Sequence, residues 1–297
     1  MSGVESSEDN RGNDRMVFSR RAVLTGIGAA MILPAVPVRA MSLEKVRAAG
    51  VLNIGVYRDF EPWAWYEGDK AVGIDVDIGN AIAKKIGVRP QVRDYLAGED
   101  VDDDLRTIVW KGPATGGTLS DVMMHVPYDR QFALRNDRAV IVAPYYREGF
   151  ALACGRDVDC EAPPPQFKGK KLVAELDSIP DFYLSGSFGG VLRGDVSHVP
   201  SGMAALMQVR DGKSDVAMAT RAQVEHALVQ GQDTLFARKG PLPALTSPGW
   251  DIALAVKDDS RDLGDHIETV MAELKADGTI DAIFKRYGVT MRPPLAS

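Results

Sequence analysis

The stretch of residues 120–146, SDVMMHVPYDRQFALRNDRAVIVAPYY, restricts the architecture of this 297-residue chain more than any other. Residues 121–126 are a short apolar run that reads as a buried strand, residues 127–129 form a turn, and Arg130 is a lone cation at its exit. Residues 139–143 are a second apolar, β-branched run, and it ends in Pro-Tyr-Tyr. Pro144 lacks an N–H and fixes its own φ, so a strand ending there must leave the sheet interior or cross elsewhere. The expectation is a crossing between two lobes. The turn bearing His125 and Arg130 then opens into the crevice between them, where open α/β sheets hold ligands beyond the carboxyl ends of their strands.

The rest of the pattern agrees with two α/β lobes. A composition of 45% hydrophobic and 26% charged residues is ordinary globular material. The net charge of −6 becomes more acidic once the first forty residues, with five arginines against four acids, are set aside. An acidic chain with no basic stripe excludes nucleic acid and anionic lipid as partners.

The N-terminus reads as an address. Arg20 and Arg21 precede the uncharged, small and apolar residues 22–36, and Val38-Arg39-Ala40 supplies a cleavage site, which matches a twin-arginine export signal over residues 1–40. A membrane anchor is the alternative, although the run is shorter than a span and is loosened by Gly26, Gly28 and Pro34. The expected compartment is the periplasm. In that oxidising space Cys154 and Cys160, which frame a small polar loop, are expected to pair, the alternative being a buried thiol and a free one.

Along the mature chain, residues 51–56 (VLNIGV) read as the first strand and its exit loop, residues 57–66, packs five aromatics with Arg58 into ten positions. Phe60 and Trp63 on that loop either line a pocket or cap their own lobe. Residues 72–78 (VGIDVDI) lead into a helix through Ile86, with apolar positions Ile78, Ile82, Ala83 and Ile86 and Gly87 as its stop, and residues 102–110 read as another with acids in its first turn. Residues 111–120 (KGPATGGTLS) form a loop at the amino edge of a strand, either a docking loop or a neutral insertion. Past the crossing, Ser178 is a plausible N-cap for a helix begun by Ile179-Pro180, and a strand over residues 214–219 gives way at Thr220-Arg221 to a helix over residues 222–229. Residues 246–250 read as the return crossing. The expected domains are therefore 41–146 with 250–297 for lobe 1, and 147–249 for lobe 2.

The ordered set Gly55 to Trp63, VGIDVDIGNAIAKKIG, Tyr128-Asp129-Arg130 with PYY from Pro144, GKSDVAMAT and ELKADGTIDAIFKRYG resembles the polar-amino-acid class of periplasmic solute-binding proteins. The resemblance implies an α/β, two-lobed type II periplasmic-binding-protein fold with two crossing hinge strands. It also implies an ABC-type permease as partner and closure over a small-molecule ligand. Relatives hold a ligand α-carboxylate with an Arg, matched by Arg130, and with hydroxyls, here replaced by Met123 and His125. They hold the α-amino group with an acid whose place is taken by Thr220. An ammonium buried without a carboxylate would keep most of its desolvation cost, so a polar or anionic organic ligand is expected, held by Phe60, Trp63, His125, Arg130, Ser178 and Thr220. The segment 104–112 and the PYYRE after the crossing resemble a subgroup associated with periplasmic quinoprotein (PQQ) methanol or alcohol dehydrogenases, which implies an accessory role as the alternative. A dehydratase on the same fold is the third reading; it needs an acid facing Arg130. There is no HExxH, Walker loop or strand-following GxGxxG. The expectation is a non-catalytic monomer without cofactor or metal.

Overall fold

The computed structural model describes residues 42–295 apart from Thr115, Gln232 and Pro248. The export-signal reading of residues 1–40 lies outside the described residues. In chain order the elements are α1 (Leu43–Ala49), β1 (Val51–Tyr57), β2 (Trp65–Glu67), β3 (Lys70–Val72), α2 (Ile74–Ile86), β4 (Arg89–Tyr95) and α3 (Val101–Leu105), continued by a π-helical turn Arg106–Trp110. They continue with β5 (Val122–Pro127), α4 (Arg130–Arg135), β6 (Ala139–Glu148), β7 (Phe150–Gly155), β8 (Leu172–Glu175), α5 (Ile179–Gly186), β9 (Val196–Val199) and α6 (Gly202–Arg210). The last are β10 (Val216–Thr220), α7 (Arg221–Gln230), β11 (Leu235–Ala237), β12 (Trp250–Lys257), α8 (Arg261–Ala276) and α9 (Thr279–Arg286).

Two five-stranded sheets, ordered β4-β1-β5-β12-β6 and β11-β7-β10-β8-β9, form the cores of two lobes. The uninterrupted apolar face of β1 is covered by α2, whose Ile74, Ile78, Ile82 and Ile86 recur at helical spacing and are buried. The amphipathic α8 and α9 complete that core through Ile267, Leu274 and Phe284. In the second lobe the parallel β8 and β10 are buried beneath α5 and α6, with β9 as a partly exposed edge strand. Cys154, at the end of β7, is disulfide-bonded to Cys160, with Cα atoms 5.7 Å apart.

The chain crosses between the sheets at two neighbouring points. β6 ends at Glu148 and β7 begins at Phe150, while β12 begins at Trp250, paired with Glu148. Gly249 has φ 90°, and a Cβ there would stand 2.2 Å from the Glu148 carbonyl oxygen. Only glycine fits where the two crossings touch. Gly249→Ala is expected to cost more than about 1–3 kcal/mol, since strain and collision add; an unchanged denaturation midpoint would show that the crossings move apart freely.

A further seam joins the lobes along α7. Both ring nitrogens of His226 face acceptors, Nδ1 the Tyr287 carbonyl at 2.6 Å and Nε2 the Glu61 carboxylate at 2.8 Å. Burial alone would lower the imidazole pKa, but these acceptors raise it above its ordinary value. Glu225, the preceding residue, accepts from the Thr290 N–H at 2.7 Å and pairs with Arg292 at 2.6 Å.

Candidate functional site: an acidic cleft between the lobes

A cavity of ≈ 530 Å³ lies where the carboxyl ends of strands from both sheets face one another. The first lobe contributes the exit of β1 (Tyr57 to Phe60), the loop entering α3, and His125; the second contributes Glu175 from β8, Ser201 and Gln223. Trp250 closes the hinge end. The sheet rule that ligands lie beyond the strands' carboxyl ends is satisfied from both sides at once.

The charge in this cleft is one-sided. Asp59, Glu99, Asp100, Asp104 and Glu175 line it, against the single cation Arg58. Arg58 is itself occupied by an ion pair with Asp94, a carboxylate that also accepts from the Tyr66 hydroxyl at 2.8 Å. Asp104 accepts from the Tyr57 hydroxyl at 2.8 Å and the Gly98 N–H at 2.9 Å. Burial, then the Asp104 charge, push the Tyr57 phenol far above its usual range, so it stays a donor. Glu175 accepts the Gly202 N–H at 2.9 Å; burial raises its pKa and that bond only partly opposes the rise.

His125 sits on the cleft floor in an unusual setting. Its φ is +62° within β5, beside a register shift against β12 between Ala253 and Ala255. A non-glycine residue in the left-handed region of a strand is strained, and a bulge re-aims its side chain. The ring lies 4.8 Å from Phe60 and 4.6 Å from Trp63, and Nδ1 stands 3.2 Å from Asp75, which also accepts from the Tyr145 hydroxyl at 2.5 Å. The hydrogen bond between Nδ1 and this buried carboxylate fixes the orientation of the ring.

The six expected ligand residues separate. Phe60 and His125 line the cleft. Trp63 does not: it is 0% exposed, packed against Tyr146 and Phe284 in the first lobe's core. Arg130 is exposed at the first position of α4, has no ion pair among the described residues, and is absent from the cleft lining. Ser178 and Thr220 cap α5 and α7, accepting from the N–H groups of Asp181 and Gln223. Their hydroxyls are directed to backbone, and Gln223, the partner of Thr220 in a reciprocal capping box, reaches the cleft instead. Glu175 escaped the sequence reading. Its signal was an acid as the last residue of a buried parallel strand, the position nearest the crevice.

These features define a two-lobed α/β fold of the periplasmic-binding-protein type, with a cleft between its lobes. No family model and no curated protein matches the chain; the likeness is to solved structures. They include a mutant of ArgBP from T. maritima at 20% identity, covering 83% of this chain and 99% of that one with TM-score 0.58. An ancestral cationic amino acid solute-binding protein covers 83% and 99% at 16% identity and TM-score 0.63. An amino acid ABC transporter substrate-binding protein from Streptococcus pneumoniae, bound to L-arginine, covers 85% and 100% at 18% identity and TM-score 0.60. At these identities the likeness is one of fold. Among the described residues no helix is long and apolar enough to cross a membrane.

Proposed function

We propose that this protein is a non-catalytic, periplasmic solute-binding protein whose cleft takes a small organic cation, a basic amino acid or amine, for an ABC-type permease. The observation that carries the reading is the charge of the cleft, five carboxylates against one already paired guanidinium. Two of those carboxylates, Asp104 and Glu175, are anchored by N–H groups and so are pre-oriented. Tyr57, Phe60 and Trp250 add ring surface that suits a cation and its aliphatic stem. This corrects the anionic ligand expected from Arg130, whose guanidinium is not part of the cleft. The argument against an ammonium also falls, because Glu175 offers the acid that Thr220 does not. The matched structures' own names, arginine and cationic amino acid binders, point the same way.

Calorimetry of the mature chain with L-arginine, L-lysine, putrescine and L-glutamate tests this. At least one cation is expected to bind and raise the melting temperature, with L-glutamate inert. Glu175→Gln is expected to weaken that cation by about tenfold or more, as a lost charge-assisted contact does. Tight binding of L-glutamate with none of the cations would sink the reading. The quinoprotein-dehydrogenase accessory role and the twin-arginine route stand on the sequence resemblance alone. Co-purification of a dehydrogenase from the native periplasm is the observation that would favour the former.

A further inference from the structure

A second cavity of ≈ 670 Å³ adjoins the hinge and shares no lining residue with the cleft. The chain neighbours Gly249 and Trp250 line one cavity each, as do Glu225 and Gln223 two residues apart on α7. The charge is of the opposite sign to the cleft's. Arg221, Arg238, Lys239 and Arg292 line this cavity against the single acid Glu225, in a chain whose net charge is −6. Glu225 neutralises only Arg292. Arg238 is positioned by donating to the carbonyls of Cys160 and Ala162, both at 2.8 Å. The exposed Glu161 carboxylate, held by the Lys239 and Gly240 N–H groups, acts on it only electrostatically, without an ion-pair contact among the described residues.

Arg221 stands over the crossing itself. A Cβ on Gly149 would come within 3.0 Å of its Nη2, and no carboxylate lies within ion-pair distance among the described residues. Its electrostatic neighbour is Glu148, a buried carboxyl with a pKa raised to about 7 by desolvation, which at neutral pH carries only part of a charge. The guanidinium is thus incompletely neutralised. The remaining wall is apolar, formed by Phe150, Leu152, Leu242 and Leu245. Arg221 comes from the second lobe, while Arg292 follows α9 and bonds through its carbonyl to the Arg147 N–H of β6.

We propose that this cavity is a second ligand site, selective for a small organic monoanion with an apolar body, its carboxylate held by Arg221 with Arg292 beside it and its body against Phe150, Leu242 and Leu245. An anion there touches groups from both sides of the crossing, and α7 carries residues of both cavities.

Benzoate and acetate titrated into the mature chain, followed by calorimetry and amide NMR, test the proposal. Benzoate is expected to bind one-to-one at about millimolar affinity or tighter, and acetate, which lacks the apolar body, about tenfold or more weakly. Arg221→Gln and Leu242→Glu are each expected to weaken benzoate by about tenfold or more, and Lys213→Gln, on a distant exposed turn, to leave it unchanged. Leu242→Glu keeps the test decisive if Arg221→Gln fails to fold. The proposal is overturned if benzoate shows no saturable binding, if both variants bind it as the parent does, or if Glu175→Gln abolishes it, which would place benzoate in the cleft.

Discussion

Trp63→Ala is expected to destabilise the protein by about 3–5 kcal/mol, the cost of truncating a fully buried aromatic ring. The indole is 0% exposed, with ring centroids of Tyr146 and Phe284 at 5.3 and 6.1 Å, in the cluster that joins β1, α2 and α9. The same ring is the wall behind His125 at 4.6 Å, so the cavity left behind would also loosen the cleft floor. Urea unfolding should show the lower midpoint. A variant that kept its midpoint yet lost its ligand would make Trp63 a binding residue after all.

Glu148→Gln is expected to do the reverse and stabilise the protein at alkaline pH. Burial to 1% exposure raises the carboxyl's pKa from 4.5 to about 7, opposed by the N–H groups of Gly149 and Ala222, which both bond Oε1, and by Arg221 and Thr220. Among the described residues Oε2 has no hydrogen-bond partner. A carboxyl whose folded pKa is raised stabilises the fold below the unfolded value, and that contribution is lost as pH climbs from 4.5 through 7. The loss is on the order of 3 kcal/mol once both states are ionised. A neutral amide keeps the Oε1 contacts and carries no charge to desolvate. The variant should therefore melt several degrees higher than the parent at pH 8, with the difference gone near pH 4. A parent whose melting temperature does not fall relative to the variant between those pH values would show that Arg221 holds Glu148 ionised throughout.

The strands and helices that set the lobes were legible where local pattern is strong. The isoleucines of α2 repeat at helical spacing, and the apolar cores of β5 and β6 read as strands. The second strand does not end at Pro144 as expected: β6 runs on to Glu148 at the edge of its sheet, where a residue without an N–H is tolerated, and the crossing follows at Gly149. The helix expected over residues 102–110 instead splits into α3 and a π-helical turn, a change of winding that side-chain periodicity does not encode. Arg130 shows where such reading stops. An arginine after a strand looks the same whether it points into a crevice or sits exposed at the first turn of α4.

What the sequence determined by itself was the alternation of buried strands and amphipathic helices and the points where glycine or proline must interrupt them, because these depend on neighbours a few residues away. Tertiary structure alone decided the sign of the two cavities and the fate of Trp63. The acids of the cleft are Asp59, Glu99, Asp100, Asp104 and Glu175, and the cations behind the hinge are Arg221, Arg238, Lys239 and Arg292. Each set is scattered along the chain and acquires a common field only when the two lobes are folded beside each other, since Coulomb interactions follow distance in space and burial, not order in sequence.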